Sequence, residues 1–481
     1  MNNTETPEQT FLLRLRSTVL RLFAGERFSS MESPAYRMLW LNTLLFALAR
    51  SAEQLVLSLY VIQRLEMGAA GAGAVVFAVG IPVLVVTIPA GVLADRVDKR
   101  TLLFVSQVGS ILAMALGALL FYLDALNFVA IMIIAVFLGT TVALGFPARN
   151  ALIPAVVKPE RLPNGIALMS IGQNFSQIGG PMLGGLAITL FDYGGMFIAM
   201  GAMLAVGLLS IFPIKIPKEA QGINPQLARI NAAEEELNTA IKNGNITQEE
   251  ADTQKEQIDS RRKMITEQGG QGGQKAPMRK QMFGDLKEGL RFVRGHREIF
   301  TLILLLVGTG IFMIGPFSAL LQVIAIDKHD QPVIMATLLY TIMGVAMVAG
   351  SFWIAGNPEF KNKGGWFLAT LMSAGIILNL MGQLPAFWMI LPVMFIGGIA
   401  GAFFTNINQI LIQKNTPPEM MGRVMGVHAL GMMGVGPFGA LLAGFFGELV
   451  GVSTAMTISG IILFVMAGTA LITQPKLRRM S

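Results

Sequence analysis

Apolar runs of about 20 residues recur along the whole chain with short polar breaks between them, and this pattern leaves few folds open. A run of that length, coiled as an α-helix, spans the hydrocarbon core of a bilayer and satisfies its own backbone there. Spans are expected at 36–63, 71–94, 101–123, 126–148, 162–190 and 194–213, then at 298–325, 332–356, 364–383, 385–412, 422–447 and 452–473. Only 14% of the residues are charged and 53% are hydrophobic, which excludes a soluble domain. The predicted fold class is an all-α membrane protein: about twelve transmembrane helices in two six-helix bundles, with a cytosolic helical insertion.

The cations set the expected orientation. Of 36 lysines and arginines, all but Arg50, Arg64 and Lys328 fall in the tails, the even-numbered connections, the central break or the span ends beside them. The positive-inside rule makes those segments cytoplasmic, with both termini inside a multi-pass cell-membrane protein. The net charge of +7 is therefore a topology signal that also attracts anionic lipid headgroups, and no nucleic-acid partner is expected. The chain lacks cysteine, and its three histidines (His296, His329, His428) have no metal-ligand spacing, so neither a metal nor a cofactor is expected. No nucleophile–base pairing or phosphate-binding loop appears, which argues against an enzyme and leaves an ion or substrate gradient as the energy source.

The organisation reads as five segments. Residues 1–35 form a cytosolic N-terminal segment, in which "FLLRLRSTVLRLF" (11–23) reads as a basic amphipathic helix or as a solvated tail. Bundles at 36–213 and 298–473 flank a cytosolic loop at 214–297, and 474–481 is a basic tail. The loop holds helical spacing at Leu227, Ile230, Leu237 and Ile241, a turn at 242–245 and a Thr247–Glu250 capping box, so it reads as a helical hairpin or a charged linker. "PERLPNGIA" (159–167) and "PEMMGRVMG" (418–426) each open a span and precede a Gly-Pro pair, Gly180–Pro181 and Gly436–Pro437. Two related halves follow from that repeat, a plan by which transporters build a site at the membrane midplane.

Three constellations carry the chemistry. In "GVLADRVDKR" (91–100), Gly91 permits close helix packing, and Asp95 at a helix end suits an opposing helix N-terminus or a cation such as Arg149. Arg96, Lys99 and Arg100 obey the positive-inside rule whatever else they do. In "SQIGGPMLGG" (176–185), Pro181 removes a helical hydrogen bond, while Gly180, Gly184 and Gly185 admit another helix. In the first span, Arg50 and Glu53 lie at i, i+3 on one face near the middle of the bilayer. Intramembrane charges are costly unless paired, so they line a cavity and take protons or neutralise one another. Burial favours the neutral carboxyl and a nearby cation favours the carboxylate, the opposition a proton switch needs. Weaker polar signals are Ser170, Asn174 and Gln177 on the fifth span, Asn406, Gln409 and Gln413 on the tenth, and His428 on the eleventh. Each faces a substrate cavity or serves as interhelical hydrogen-bond glue.

The 91–100 segment resembles the loop 2–3 signature of the major facilitator superfamily through Gly91, Leu93, Asp95, Arg96, Lys99 and Arg100, with Asp98 where many members have glycine. Residues 176–185 resemble its fifth-helix antiporter signature, and 145–168 is similar to the branch of enterobactin exporters and macrolide-efflux-like pumps. The resemblance implies a cytoplasmic gate at 91–100 and a leak-preventing bend at Pro181. It also implies export of an amphipathic or hydrophobic small molecule by alternating access. With Glu53 and Arg50, read from their place in the middle of the first span, the expectation becomes a proton-coupled monomeric exporter. The alternatives are a lipid or lysolipid translocator and a membrane-embedded sensor or scaffold.

Overall fold

A computed structural model describes residues 26–158, 161–214, 278–356, 362–417, 420–478 and 480, with 234, 237, 255 and 258–260 from the central loop. The amphipathic segment at 11–23 and nearly all of the expected hairpin lie outside the described residues. The long helices are α1 (Pro34–Gln63), α2 (Gly68–Arg96), α3 (Lys99–Tyr122), α4 (Phe128–Val156) and α5 (Leu162–Leu209). An amphipathic α6 (Met278–Gly295) precedes α7 (Arg297–Lys328), α8 (Val333–Gly356), α9 (Lys363–Gln383), α10 (Phe387–Lys414), α11 (Met421–Val450) and α12 (Val452–Thr473). Eleven of these, all but α6, are long and apolar enough to cross a membrane.

The expected twelve crossings survive because α5 contains two. Asp192 leaves the helical region (φ 65°, ψ −170°) and its carboxylate accepts a hydrogen bond from the Gly195 amide at 3.0 Å. Before that break α5 runs alongside α1, with Gly180 against Leu48 and Ser51 and Gly184 against Val56. Beyond it the chain runs back down α3, with Phe197 on Gly117 and the Leu204 carbonyl accepting from Gln107 at 2.9 Å. The fifth and sixth spans are thus the two legs of one assigned helix.

Short polar side chains cap three of the helix starts. Ser33 Oγ accepts from the Tyr36 amide ahead of Pro34, Asp98 from Thr101 at 3.0 Å, and Asn127 from Ala130 at 3.0 Å. Among the described non-glycine residues at positive φ, Glu66, Asp124, Asp192 and Asp330 sit in odd-numbered connections and Asn362 in an even one. Tight acidic turns therefore collect on the face opposite the cations.

The chain divides into two compact units. One comprises Met1–Thr43, Arg149–Gly172 and Leu209–Pro277; the other comprises Leu44–Ala148, Gln173–Leu208 and Met278–Ser481. In the first unit the start of α1 is stapled to α4 and α5. Tyr36 donates to the Gly165 carbonyl at 2.6 Å, Trp40 to Leu168 at 2.9 Å, Ser33 to Val156 at 2.8 Å, and Arg161 pairs with Glu32. In the second unit, α2 and α11 approach backbone to backbone. A Cβ on Gly73 would lie 2.4 Å from the Ala440 carbonyl oxygen, and one on Gly444 would lie 2.4 Å from that of Ala69. Likewise Gly185 of α5 meets Thr337 of α8, and Gly344 of α8 meets Ile178 of α5. Small residues here replace the hydrophobic drive that lipid cannot supply between helices.

Candidate functional site

The fifth-span glycines seat directly on the charged turn of α1. A Cβ on Gly180 would lie 2.4 Å from Ser51 Cβ and 2.8 Å from the Leu48 carbonyl oxygen; one on Gly184 would lie 3.2 Å from Ala52 Cβ. Leu48, Ser51 and Ala52 therefore lie against α5, on the stretch of α1 that also carries Arg50 and Glu53. Glu53 is buried at 6% exposure, and its Oε1 has no hydrogen-bond partner. Arg50, half-buried, is the charge that acts on it. A carboxyl oxygen with no partner in such surroundings costs several kcal/mol to keep charged unless water or a cation compensates. Pro181 lies in the same helix, where the non-helical dihedrals fall at Asp192 rather than at the proline.

The loop 2–3 residues separate in the structure. Gly91, Asp95 and Arg96 belong to the last turns of α2, but the side chains of Asp95 and Arg96 lie outside the described ones. Asp98 caps α3, with Thr101 donating from both its amide and its hydroxyl, and half-buried Lys99 and Arg100 form the first turn of that helix. Arg149 is buried at 4% exposure in the first unit, where it donates to Asn42 Oδ1 at 3.4 Å. Asn42, fully buried on α1, is the partner that sequence reading missed.

The polar stripes do not gather into one site. Ser170, Asn174 and Gln177 are all exposed, and Ser170 donates to its own helix at Ile166. On α10, Gln409 and Gln413 are exposed, whereas Asn406 donates to Ser351 of α8 at 3.3 Å. His428 is buried and meets Asn408 Oδ1 at 3.0 Å; Asn408 also donates to the Leu302 carbonyl. Asn408 was not expected, although its place on the buried face beside Ile407 and Leu411 marks it out.

Across the second half, the counterpart of the charged turn is neutral. α7 changes from α-helix to a π-helical turn at Gly310–Ile314 and back at Gly315. α11 breaks at Val435 and restarts at Gly436–Pro437. The two meet closely: a Cβ on Gly439 would lie 2.6 Å from the Gly310 carbonyl oxygen, and one on Gly315 would lie 2.2 Å from the Gly439 carbonyl carbon. Among the described residues, no group of three or more His, Asp or Glu could hold a metal ion.

Twelve crossings, with small-residue contacts between α2 and α11 and between α5 and α8, define a multi-pass helical membrane protein. Residues 39–358 match the Major Facilitator Superfamily, and the chain belongs to it. Residues 270–481 also match a family described as transmembrane secretion effector. Macrolide efflux protein A of Streptococcus pyogenes is 22% identical over 78% of this chain and 80% of its own. Multidrug efflux pump Tap of Mycolicibacterium fortuitum is 23% identical over 83% of this chain and 86% of its own. Among solved structures, nucleoside transporter NupG superposes with a TM-score of 0.65 at 12% identity, covering 91% of this chain and 98% of its own. A peptide transporter POT bound to sulfate gives 0.64 at 14% identity, over 92% and 95%. At these identities the structural likeness speaks to the fold alone.

Proposed function

We propose that this transporter exports an amphipathic or hydrophobic small molecule against its gradient and couples that work to protons at Glu53, with Arg50 as the biasing charge. The observation that carries the reading is the buried Glu53 carboxyl with an unpartnered oxygen, on the turn of α1 that the glycines of α5 grip. A movement of α5 against α1 alters how water reaches that turn, and with it which protonation state is cheaper. The efflux proteins of similar sequence support export as the direction. In proteoliposomes with an imposed proton gradient, Glu53→Gln is expected to abolish uphill efflux of a macrolide while sparing its downhill exchange. Undiminished uphill efflux by Glu53→Gln would contradict the assignment.

The orientation belongs to the same proposal: both termini and the even-numbered connections face the cytoplasm, and the protein works as a monomer in the cell membrane. In this cysteine-free chain, Asp124→Cys, Asp192→Cys and Glu448→Cys are expected to label from outside intact cells and Lys99→Cys not. The gate proposed at 91–100 predicts that Asp95→Asn lowers turnover with normal expression.

A further inference from the structure

A cavity of about 270 Å³ opens inside the second half, walled by α7, α8, α9, α10 and α11. Five of its lining residues are methionines: Met313, Met343, Met347, Met394 and Met432. Four of these are only half-buried, so the space is reachable rather than sealed, while Met394 is buried behind them. None of the described lining residues is charged, and the hydroxyl of Thr370 is already committed to the Phe367 carbonyl at 2.8 Å. A water molecule needs two to four polar partners to stay in a cavity, and these walls offer few.

Two glycines of α10 mark the cavity as something other than a packing fault. Gly398 is sterically required, since a Cβ there would lie 2.3 Å from the Met343 carbonyl oxygen. Its neighbours Gly397 and Gly401 are different. A Cβ on Gly401 would meet nothing closer than Met347 at 3.9 Å, and one on Gly397 nothing closer than Ile377 at 3.5 Å. Helix packing does not demand glycine at either position, and both line the empty volume. Methionine walls adapt to irregular apolar shapes because the side chain is unbranched and polarisable. An engineered apolar cavity of about 150 Å³ holds benzene, so this one has room for a group about the size of two fused rings.

We infer that this cavity is a binding subsite for an uncharged aromatic or branched alkyl group of the molecule that the transporter carries. It is separate from the charged turn of α1 and complements it: one half supplies the ionisable group and the other takes the apolar part of the cargo. The inference rests on the exporter reading above.

The test measures binding in detergent and, separately, macrolide export in the proteoliposomes described above. Ala374→Cys places a single thiol on the cavity wall. Its modification by N-phenylmaleimide is expected to be at least tenfold faster than by a quaternary-ammonium maleimide. Naphthalene is expected to slow that reaction at least fivefold, as is a second substitution, Gly401→Leu, which fills the cavity; Gly401→Val serves if the leucine variant does not fold. Equal rates with the two reagents, or failure of naphthalene or of the filling substitution to slow the neutral one, would overturn the subsite. A macrolide is expected to slow labelling as well. Slowing by added phosphatidylglycerol but not by the macrolide would give the cavity to a lipid chain and overturn the cargo assignment, as would slowing by neither. Macrolide export with no protection of the thiol would defeat the subsite alone, whereas absence of export would defeat the exporter reading.

Discussion

In the first half, Gly180 of α5 rests on Leu48–Ala52 of α1; in the second, Gly439 of α11 rests on Gly310 and Ile311 of α7. Each contact lies at a Gly-Pro pair, Gly180–Pro181 or Gly436–Pro437, and each grips the first helix of its half. What the grip holds is different. The turn of α1 carries Arg50 and a buried Glu53, whereas the turn of α7 is a neutral π-helical stretch, "GIFMI", that feeds Met313 and Ile314 into an apolar cavity. The helices differ too, since α5 passes Pro181 without a break and α11 stops at Gly434 and restarts. A similar glycine contact thus holds a charged turn in one half and a neutral turn in the other.

The comparison breaks most readily at the two grips. Gly180→Leu and Gly439→Leu force a side chain into backbone, and each is expected to cost roughly 3 kcal/mol or more, read as loss of monodisperse protein or a steep fall in thermal midpoint. Gly401→Leu, facing empty space, is expected to change that midpoint little, which separates glycines needed for packing from those that keep a cavity open. The next largest effect concerns the buried polar pair of the second half. Asn408→Leu leaves His428 without its partner and is expected to destabilise by roughly 1–3 kcal/mol. Asn406→Leu, half-buried one turn-face away, is expected to do less in the same denaturation assay. Asp98→Ala removes the cap of α3 and is expected to cost about 1 kcal/mol, with no change in the pH dependence of transport.

The smallest effect lies just past α7. Burial, and then the charge of Lys328, hold the imidazole of His329 below its ordinary range, and its Nε2 has no hydrogen-bond partner. A depressed histidine favours the neutral form in the folded protein, so the unfolded chain binds the extra proton more readily. The associated stability is present above about pH 6.5 and is lost as pH falls below it. His329→Gln is expected to flatten that acid-side loss in thermal midpoint, and an unchanged slope would remove His329 as its source.

Much of this was legible before the structure. Runs of apolar residues located the crossings to within about four residues, except that the fourth runs on to Val156 rather than ending at 148, because membrane helices must be long and self-satisfied whatever their neighbours. The spacing of Gly180 and Gly184 announced a close helix contact, though not that its partner is the charged turn of α1. The break at Asp192 was placed correctly between two spans, yet the helical geometry on both sides merges them. Other features left no readable mark. A π-helical turn at Gly310–Ile314 has the same apolar composition as an α-helical one. Asn408 escaped because the stripe of Asn406, Gln409 and Gln413 drew attention to the exposed face of α10, while Asn408 lies on the buried one. The α2–α11 contact was hidden because its glycines and alanines are spread among many others, and only their three-dimensional pairing singles out Gly73 and Gly444.

The proposed division of labour between the halves rests on Glu53, and protons exchanged when a substrate binds can be counted. Purified protein in weakly buffered detergent is mixed with a macrolide at several pH values, and the protons exchanged with solvent are measured for the parent, for Glu53→Gln and for Gly401→Leu. The expected result is proton release by the parent and none by Glu53→Gln. Gly401→Leu is expected to release as many protons per macrolide bound as the parent, at higher macrolide concentration. Release by Glu53→Gln equal to that of the parent would contradict proton coupling at the charged turn and move it to another group, with His428 the first to test.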